Sequence, residues 1–143
     1  MADIFHHFTI NASIEKVFDG ISKPNGLDRW WSKNSTGNPG LDEHYKLNFG
    51  SGVNWNAVVT KYVQNKEFEL TITSANNDWI NTKVGFSLNY NNDVTEVDFY
   101  HESWPEKNEH YKISCYCWAM YLRILKRFLE YGEEVPYENR LTV

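Results

Sequence analysis

The sequence predicts an α+β domain in which one antiparallel sheet packs against a long C-terminal helix. Three observations support this class. The chain opens on a short apolar strand followed by helix signals, its middle alternates apolar and polar residues, and its last quarter repeats apolar residues at helical spacing. At 143 residues the chain suits one domain over residues 1–143, large enough to bury a core without disulfides or metal ions.

The opening segment predicts a strand at Ile4–Ile10 and then a capped helix. Ser13 is a favourable N-cap because its hydroxyl can accept a hydrogen bond from a free backbone N–H. Glu15 places a negative charge near the positive end of the helix dipole. Pro24 ends this helix, because proline lacks the N–H that a helix interior requires.

A second short helix is expected to carry Leu27, Trp30 and Trp31. Adjacent residues of a helix diverge by about 100°. The two tryptophans should therefore contact different neighbours, one in the core and the other at the edge of a cavity.

Residues 43–103 predict five strands joined by short polar turns. Apolar residues recur at every second position in each of these strands, as expected of a sheet with one buried face. Asparagine- and glycine-rich turns separate the strands, which favours an antiparallel meander.

The C-terminal part predicts one helix over residues 108–131, ended by Gly132. One apolar stripe runs along it at helical spacing, opposite a charged face. The remaining segment, 132–143, is polar and is expected to be irregular. The stripe consists of Trp118, Leu122, Leu125 and Leu129.

Composition argues against several classes of protein. The formal charge of −5 disfavours nucleic-acid binding, and no apolar run approaches the roughly twenty residues that cross a membrane. The N-terminus lacks the apolar core of a signal peptide. Cys115 and Cys117 lie two residues apart on the predicted helix, where they cannot bridge each other. We therefore expect a soluble cytoplasmic protein with reduced thiols.

The order of these elements resembles the START-like, birch-pollen-allergen-like superfamily (SRPBCC), and most closely its branch named for homology to the activator of the heat-shock-protein ATPase. The resemblance covers nearly the whole chain. It implies the helix-grip fold, in which a curved antiparallel sheet wraps around the long C-terminal helix and two short helices follow the first strand. It also implies a ligand cavity between sheet and helix. The matching segments are Val17-Phe18-Asp19, Arg29-Trp30-Trp31, Thr82–Leu88, Thr95–His101 and Trp118–Gly132.

Aromatic side chains dominate the predicted cavity. His101 continues the inward face of Val97 and Phe99 by strict alternation, and it is the ionisable residue of greatest interest there. It is a structural core residue, a group that orients a ligand, or a general acid or base. His110 is expected at the surface. The predicted ligand-binding residues are Trp31, Trp55, Phe86, Phe99, His101, Trp118 and Tyr121.

The function that we predict is binding of a small apolar or aromatic molecule, without catalytic residues, a metal ion or another cofactor. The spacing of Cys115 and Cys117 is wrong for a zinc site. One alternative is an enzyme of the polyketide cyclase or dehydratase type that uses the same cavity. Another is an interaction module that regulates a chaperone ATPase. A homodimer is left open, and neither nucleic acid nor membrane is an expected partner.

Overall fold

The computed structural model describes residues 2–143. Seven strands form one antiparallel sheet, and a long helix follows the last strand. The strands are β1 (Ala2–Ile10), β2 (Asn34–Thr36), β3 (His44–Asn48), β4 (Asn54–Val63), β5 (Glu67–Ser74), β6 (Lys83–Asn91) and β7 (Val94–Trp104). The helices are α1 (Ile14–Ser22), α2 (Pro24–Leu27), α3 (Glu109–Tyr131) and a final 3-10 helix (Tyr137–Thr142). This confirms the predicted helix-grip α+β fold.

The sheet order is β1-β7-β6-β5-β4-β3-β2. Strands β3 to β7 are neighbours in chain order, so the predicted five-stranded meander is confirmed. Strand β1 pairs with β7, with Phe8 opposite Val97. Strand β2 is too short for a periodicity to reveal it, and the sequence gives no signal for it. It pairs with β3 through Ser35 and Leu47 at the other edge of the sheet.

Helix α1 begins as its sequence predicts. The Ser13 hydroxyl accepts a hydrogen bond from the Lys16 backbone N–H at 3.3 Å. Helix α2 ends at Leu27, so Trp30 and Trp31 lie in the turns that follow it. The expected longer helix is therefore wrong, and so is the expectation that the two tryptophans contact different neighbours.

Both of these rings pack against Trp118. The ring centroids of Trp30 and Trp31 lie 6.4 and 5.2 Å from that of Trp118. A turn does not impose the 100° divergence of a helix, so two consecutive side chains can reach one partner. The Trp30 indole N–H donates to the Gly20 carbonyl at 2.9 Å and ties this turn to α1.

Helix α3 has the predicted ends and the predicted apolar stripe. Asn108 caps its first turn by accepting the Tyr111 N–H at 2.9 Å, and Gly132 adopts the left-handed conformation at φ 71°. All four stripe residues are buried against the sheet and α1. No helix within residues 2–143 is long and apolar enough to cross a membrane.

The C-terminal segment is ordered rather than irregular, because a buried arginine ties it to the N-terminal half. Arg140 is only 5% exposed. Its guanidinium donates to the Ser32 carbonyl at 3.0 Å and to the Asp28 carbonyl at 2.6 Å. Burial lowers the pKa of this guanidinium. These bonds join residues more than a hundred positions apart, which explains why local sequence does not reveal the 3-10 helix.

Candidate functional site: an aromatic cleft

A cleft of about 270 Å³ lies between the N-terminal half of α3, the β3–β4 turn and the segment that joins β5 to β6. Seven Trp, Phe and Tyr rings line it, supplied by five separate parts of the chain. Such a wall is typical of sites for flat apolar molecules, because aromatic side chains offer large rigid surfaces. The rings are those of Trp31, Phe49, Trp55, Trp79, Trp118, Tyr121 and Tyr137.

Ring-to-ring contacts make the wall continuous. The Phe49 and Trp55 centroids lie 4.8 Å apart, and those of Trp55 and Trp79 lie 4.9 Å apart. Trp79 stacks on Trp118 at 5.8 Å with an interplanar angle of 26°. Tyr137 holds one end of the wall, because its hydroxyl donates to the Phe49 carbonyl at 2.8 Å. The C-terminal segment therefore shapes the cleft.

Four of the seven predicted ligand-binding residues line this cleft: Trp31, Trp55, Trp118 and Tyr121. The other three do not, and the expectation that they would line it is wrong. Phe86, Phe99 and His101 are 3%, 1% and 0% exposed and lie in the core.

Trp118 is the reason for that difference. Its ring centroid lies 4.6 Å from that of Phe99 and 5.8 Å from that of His101. The indole therefore occupies the interior toward which the sheet residues point, and it separates them from the cleft.

His101 is a neutral core residue with both ring nitrogens engaged. The Trp118 indole N–H can only donate, and it lies 3.0 Å from His101 Nδ1, so Nδ1 accepts. The proton then resides on Nε2, which donates to the Thr82 hydroxyl at 2.9 Å. The Thr82 hydroxyl in turn donates a hydrogen bond to the Trp79 carbonyl at 2.6 Å.

Burial, with a smaller contribution from nearby His110, lowers the pKa of His101 to about 3. A ring that is neutral, fully hydrogen-bonded and inaccessible has no lone pair or proton to offer a ligand. The geometry therefore favours the structural alternative for this residue.

The rest of the cleft wall comes from the first two turns of α3 and the start of its third. His110, Ile113, Ser114 and Cys117 face the cleft. Together with Trp118 and Tyr121 they recur at helical spacing, so extending the apolar stripe toward the N-terminus would have found them. No periodicity marks Trp79 or Tyr137, because one lies in a turn and the other in the C-terminal segment.

The polar groups of the cleft are few. Burial raises the pKa of the Tyr121 hydroxyl to about 12, so it remains protonated at neutral pH. Neither this hydroxyl nor that of Ser114 has a hydrogen-bond partner within residues 2–143, and neither is among the buried unpaired atoms. The Trp79 indole N–H is buried and unpaired within the same residues.

His110 has a carboxylate partner. Its Nδ1 lies 2.8 Å from Asp78 Oδ2, and both side chains are about one-third exposed (37% and 31%). His110 is thus partly exposed and lies on the rim of the cleft. Asp78 belongs to the turn between β5 and β6, so the pair joins the sheet to α3.

Residues 2–143 contain no cluster of three His, Cys, Asp or Glu side chains that could hold a metal ion. Cys115 and Cys117 are both free thiols. Burial raises the pKa of the Cys117 thiol, which favours its unreactive protonated form.

Comparison with known proteins identifies the family. The sequence profile described as "Activator of Hsp90 ATPase homolog 1-like protein" matches residues 11–130. The chain belongs to this family. No curated protein matches it.

Solved structures share the fold. The Aha1 dimer from Colwellia psychrerythraea is 29% identical, with a TM-score of 0.81 over 93% of this chain and 99% of that one. The Bacillus halodurans protein BH1534 is 20% identical, with a TM-score of 0.75 over 91% and 98%. DynU16, described as a protein of the dynemicin biosynthetic locus, is 16% identical, with a TM-score of 0.75 over 94% of this chain and 50% of that one. The last two likenesses concern the fold alone.

Proposed function

We propose that this family member binds a small, flat, apolar or aromatic molecule in the aromatic cleft, without a cofactor. The observation that carries the proposal is the convergence of seven rings from five parts of the chain on one opening of about 270 Å³. A packed core needs no such opening. Ligand sites are typically apolar clefts with a few placed polar groups.

The size of the cleft limits the ligand. Pockets for drug-sized molecules occupy roughly 300–1,000 Å³. A cleft of about 270 Å³ therefore suits a molecule of one to three fused or linked rings. The continuous wall from Phe49 to Trp118 favours a planar shape, because a flat ligand can stack on several rings at once.

Naphthalene is a suitable probe for this proposal. In a titration followed by ¹⁵N–¹H spectra, we expect it to shift the indole signals of Trp31, Trp55, Trp79 and Trp118, which line the cleft. The signals of Trp30 and Trp104, which do not line it, should shift less. Native mass spectrometry of freshly purified protein would show whether a natural ligand is retained.

A matched pair of variants makes the test specific. Trp55→Ala removes part of the wall and should weaken naphthalene binding about tenfold, the loss of one aromatic contact. Phe5→Ala removes a ring that is 67% exposed on β1 and should leave affinity unchanged. The proposal fails if saturating naphthalene moves no cleft indole signal.

The enzyme alternative loses its predicted acid or base, because His101 is sealed in the core. A protein-interaction role has a separate observation in its favour. The outer side of α3 and the C-terminal segment form an apolar groove of about 440 Å³. Its most exposed large apolar residue is Tyr116, at 80%.

We propose that this groove carries a homodimer contact. The support is the groove itself and the relative of 29% identity that was solved as a dimer. Sedimentation of the purified protein should give a dimer mass, and Tyr116→Glu should shift it to a monomer. Phe5→Glu, which adds the same charge on another exposed ring, should not. A dimer that Tyr116→Glu leaves intact would contradict this assignment.

We also propose a cytoplasmic location. The support is the presence of two free thiols, Cys115 and Cys117, in a domain without a disulfide among its described residues. Fractionation of cells that express the protein with a C-terminal tag would test it.

A further inference from the structure

The Asp78–His110 pair gives the cleft one well-defined hydrogen-bond acceptor. A carboxylate can only accept, so the neutral form of the His110 ring carries its proton on Nδ1, which faces Asp78 Oδ2 at 2.8 Å. The lone pair is then on Nε2. Asp78 thus selects the tautomer, as carboxylates commonly do for histidines with a binding or catalytic role.

His110 Nε2 is accessible. It has no hydrogen-bond partner within residues 2–143, yet it is not among the buried polar atoms that lack one. The ring is also held in place from the other side. It meets Trp104 edge to face, with centroids 5.4 Å apart at 81°. Because His110 Nε2 is an acceptor held on the rim of an aromatic cleft, it favours a ligand that donates a hydrogen bond.

The remaining wall indicates that this donor is uncharged. None of the residues that line the cleft is Asp, Glu, Lys or Arg. A charged ligand would give up hydration without meeting an opposite charge on the wall, which is costly. The carboxylate of Asp78 is already engaged by His110.

We infer that the ligand of the cleft is a neutral planar phenol whose hydroxyl donates to His110 Nε2, with Asp78 as the positioning residue. The inference rests on the proposed function, because it names the class of molecule for the same cleft. The ring stacks on the aromatic wall, and the hydroxyl reaches the one acceptor whose direction is fixed. Ser114, one turn further along α3, supplies a second hydroxyl for a substituent.

The experiment compares 2-naphthol with naphthalene on wild type and two variants. His110→Phe keeps a flat ring beside Trp104 but removes the acceptor. Asp78→Asn keeps the shape but can donate to Nδ1, which permits the opposite tautomer. The measured quantity is the ratio of the two dissociation constants, naphthalene over 2-naphthol. Comparing this ratio between proteins cancels the different solubilities of the probes.

We expect His110→Phe to lower that ratio about tenfold, the worth of one hydrogen bond in a partly buried site. Asp78→Asn should lower it by less, because the Asn amide oxygen can still accept from Nδ1–H and keeps part of the acceptor tautomer. The fall in the ratio should come from weaker binding of 2-naphthol, which its own dissociation constant reports. His110→Gln retains an acceptor oxygen. It should therefore keep part of the preference for 2-naphthol over naphthalene that His110→Phe loses. Indole N–H spectra of each variant would report that the cleft is intact.

Two failures are distinguishable. If naphthalene binds but the ratio is the same in wild type and His110→Phe, the phenol inference is overturned while the proposed function stands. If neither probe binds the wild-type cleft, the proposed function falls and this inference falls with it.

Discussion

His101 and His110 both pack against Trp104 and have opposite chemistry. Their ring centroids are 4.9 and 5.4 Å from that of Trp104. His101 is fully buried and has both nitrogens hydrogen-bonded, whereas His110 is partly exposed and has one nitrogen free. Proximity to an aromatic cluster therefore says little about a histidine's role. Unused hydrogen-bonding capacity at an accessible atom is the better guide.

The same contrast extends to stability. Trp118, His101 and Thr82 form a buried chain of hydrogen bonds that ends on the Trp79 carbonyl. The region around His110 is an open rim with water as an alternative partner. Removing a member of the buried chain should therefore cost more than removing a member of the rim.

The largest expected effect is that of Trp118→Ala. This change removes the ring that fills the interior and also deprives His101 Nδ1 of its donor. The free energy of unfolding should fall by about 3–5 kcal/mol, measured by urea denaturation. Tyr131→Ala, at the last residue of the same helix and 68% exposed, is the matched control and should change it by less than about 0.5 kcal/mol. Equal losses would mean that Trp118 does not hold the core together.

The second effect is a pH dependence caused by His101. Its pKa is lowered to about 3 in the fold, while an unfolded histidine titrates near 6.5. The unfolded chain thus binds more protons between these values, so the contribution of His101 is complete above about pH 6.5 and is lost as pH falls. The loss approaches about 1.4 kcal/mol for each pH unit well below pH 6.5, and amounts to about 2 kcal/mol from pH 6.5 to 4.5.

Denaturation at several pH values would measure this slope. His101→Gln should remove that component, leaving a flatter profile than wild type. His44→Gln, at an exposed position, should leave the profile unchanged. A His101→Gln profile parallel to that of wild type would contradict a neutral buried imidazole.

The smallest effect is that of His110→Gln. Removing a partly exposed hydrogen bond should change the free energy of unfolding by less than about 1 kcal/mol. Thermal unfolding followed by circular dichroism would measure it. A loss above about 2 kcal/mol would mean that the Asp78–His110 pair stabilises the fold. The contributions of His101 and His110 to stability would then be similar.

Much of the fold was predictable because its signals are local. Ser13 caps α1, Gly132 ends α3, and alternation gives the five meander strands. Strand β2 was not predictable, because three residues are too few to show an alternation of apolar and polar positions. The prediction that Trp30 and Trp31 lie in a helix was wrong, because the sequence signal for a short helix does not show where that helix ends.

The candidate site was only half predictable. Alternation shows which strand residues point inward, but it does not show how far inward the opposing helix reaches. Phe86 and Phe99 point inward as expected and are nevertheless buried, Phe99 against Trp118 and Phe86 against Trp30. His110 and Asp78 are separated by 32 positions, so no local pattern relates them.

The sequence by itself determined the fold class, the meander and the buried stripe of α3, because each of these follows from the repeat of apolar residues along a regular backbone. The tertiary structure alone decided the depth of the Trp118 ring, the pairing of His110 with Asp78 and the docking of Tyr137 and Arg140. The physical reason is that these features depend on the distance between elements that are remote in the chain. Packing sets that distance, and the repeat of apolar residues along the sequence does not reveal it.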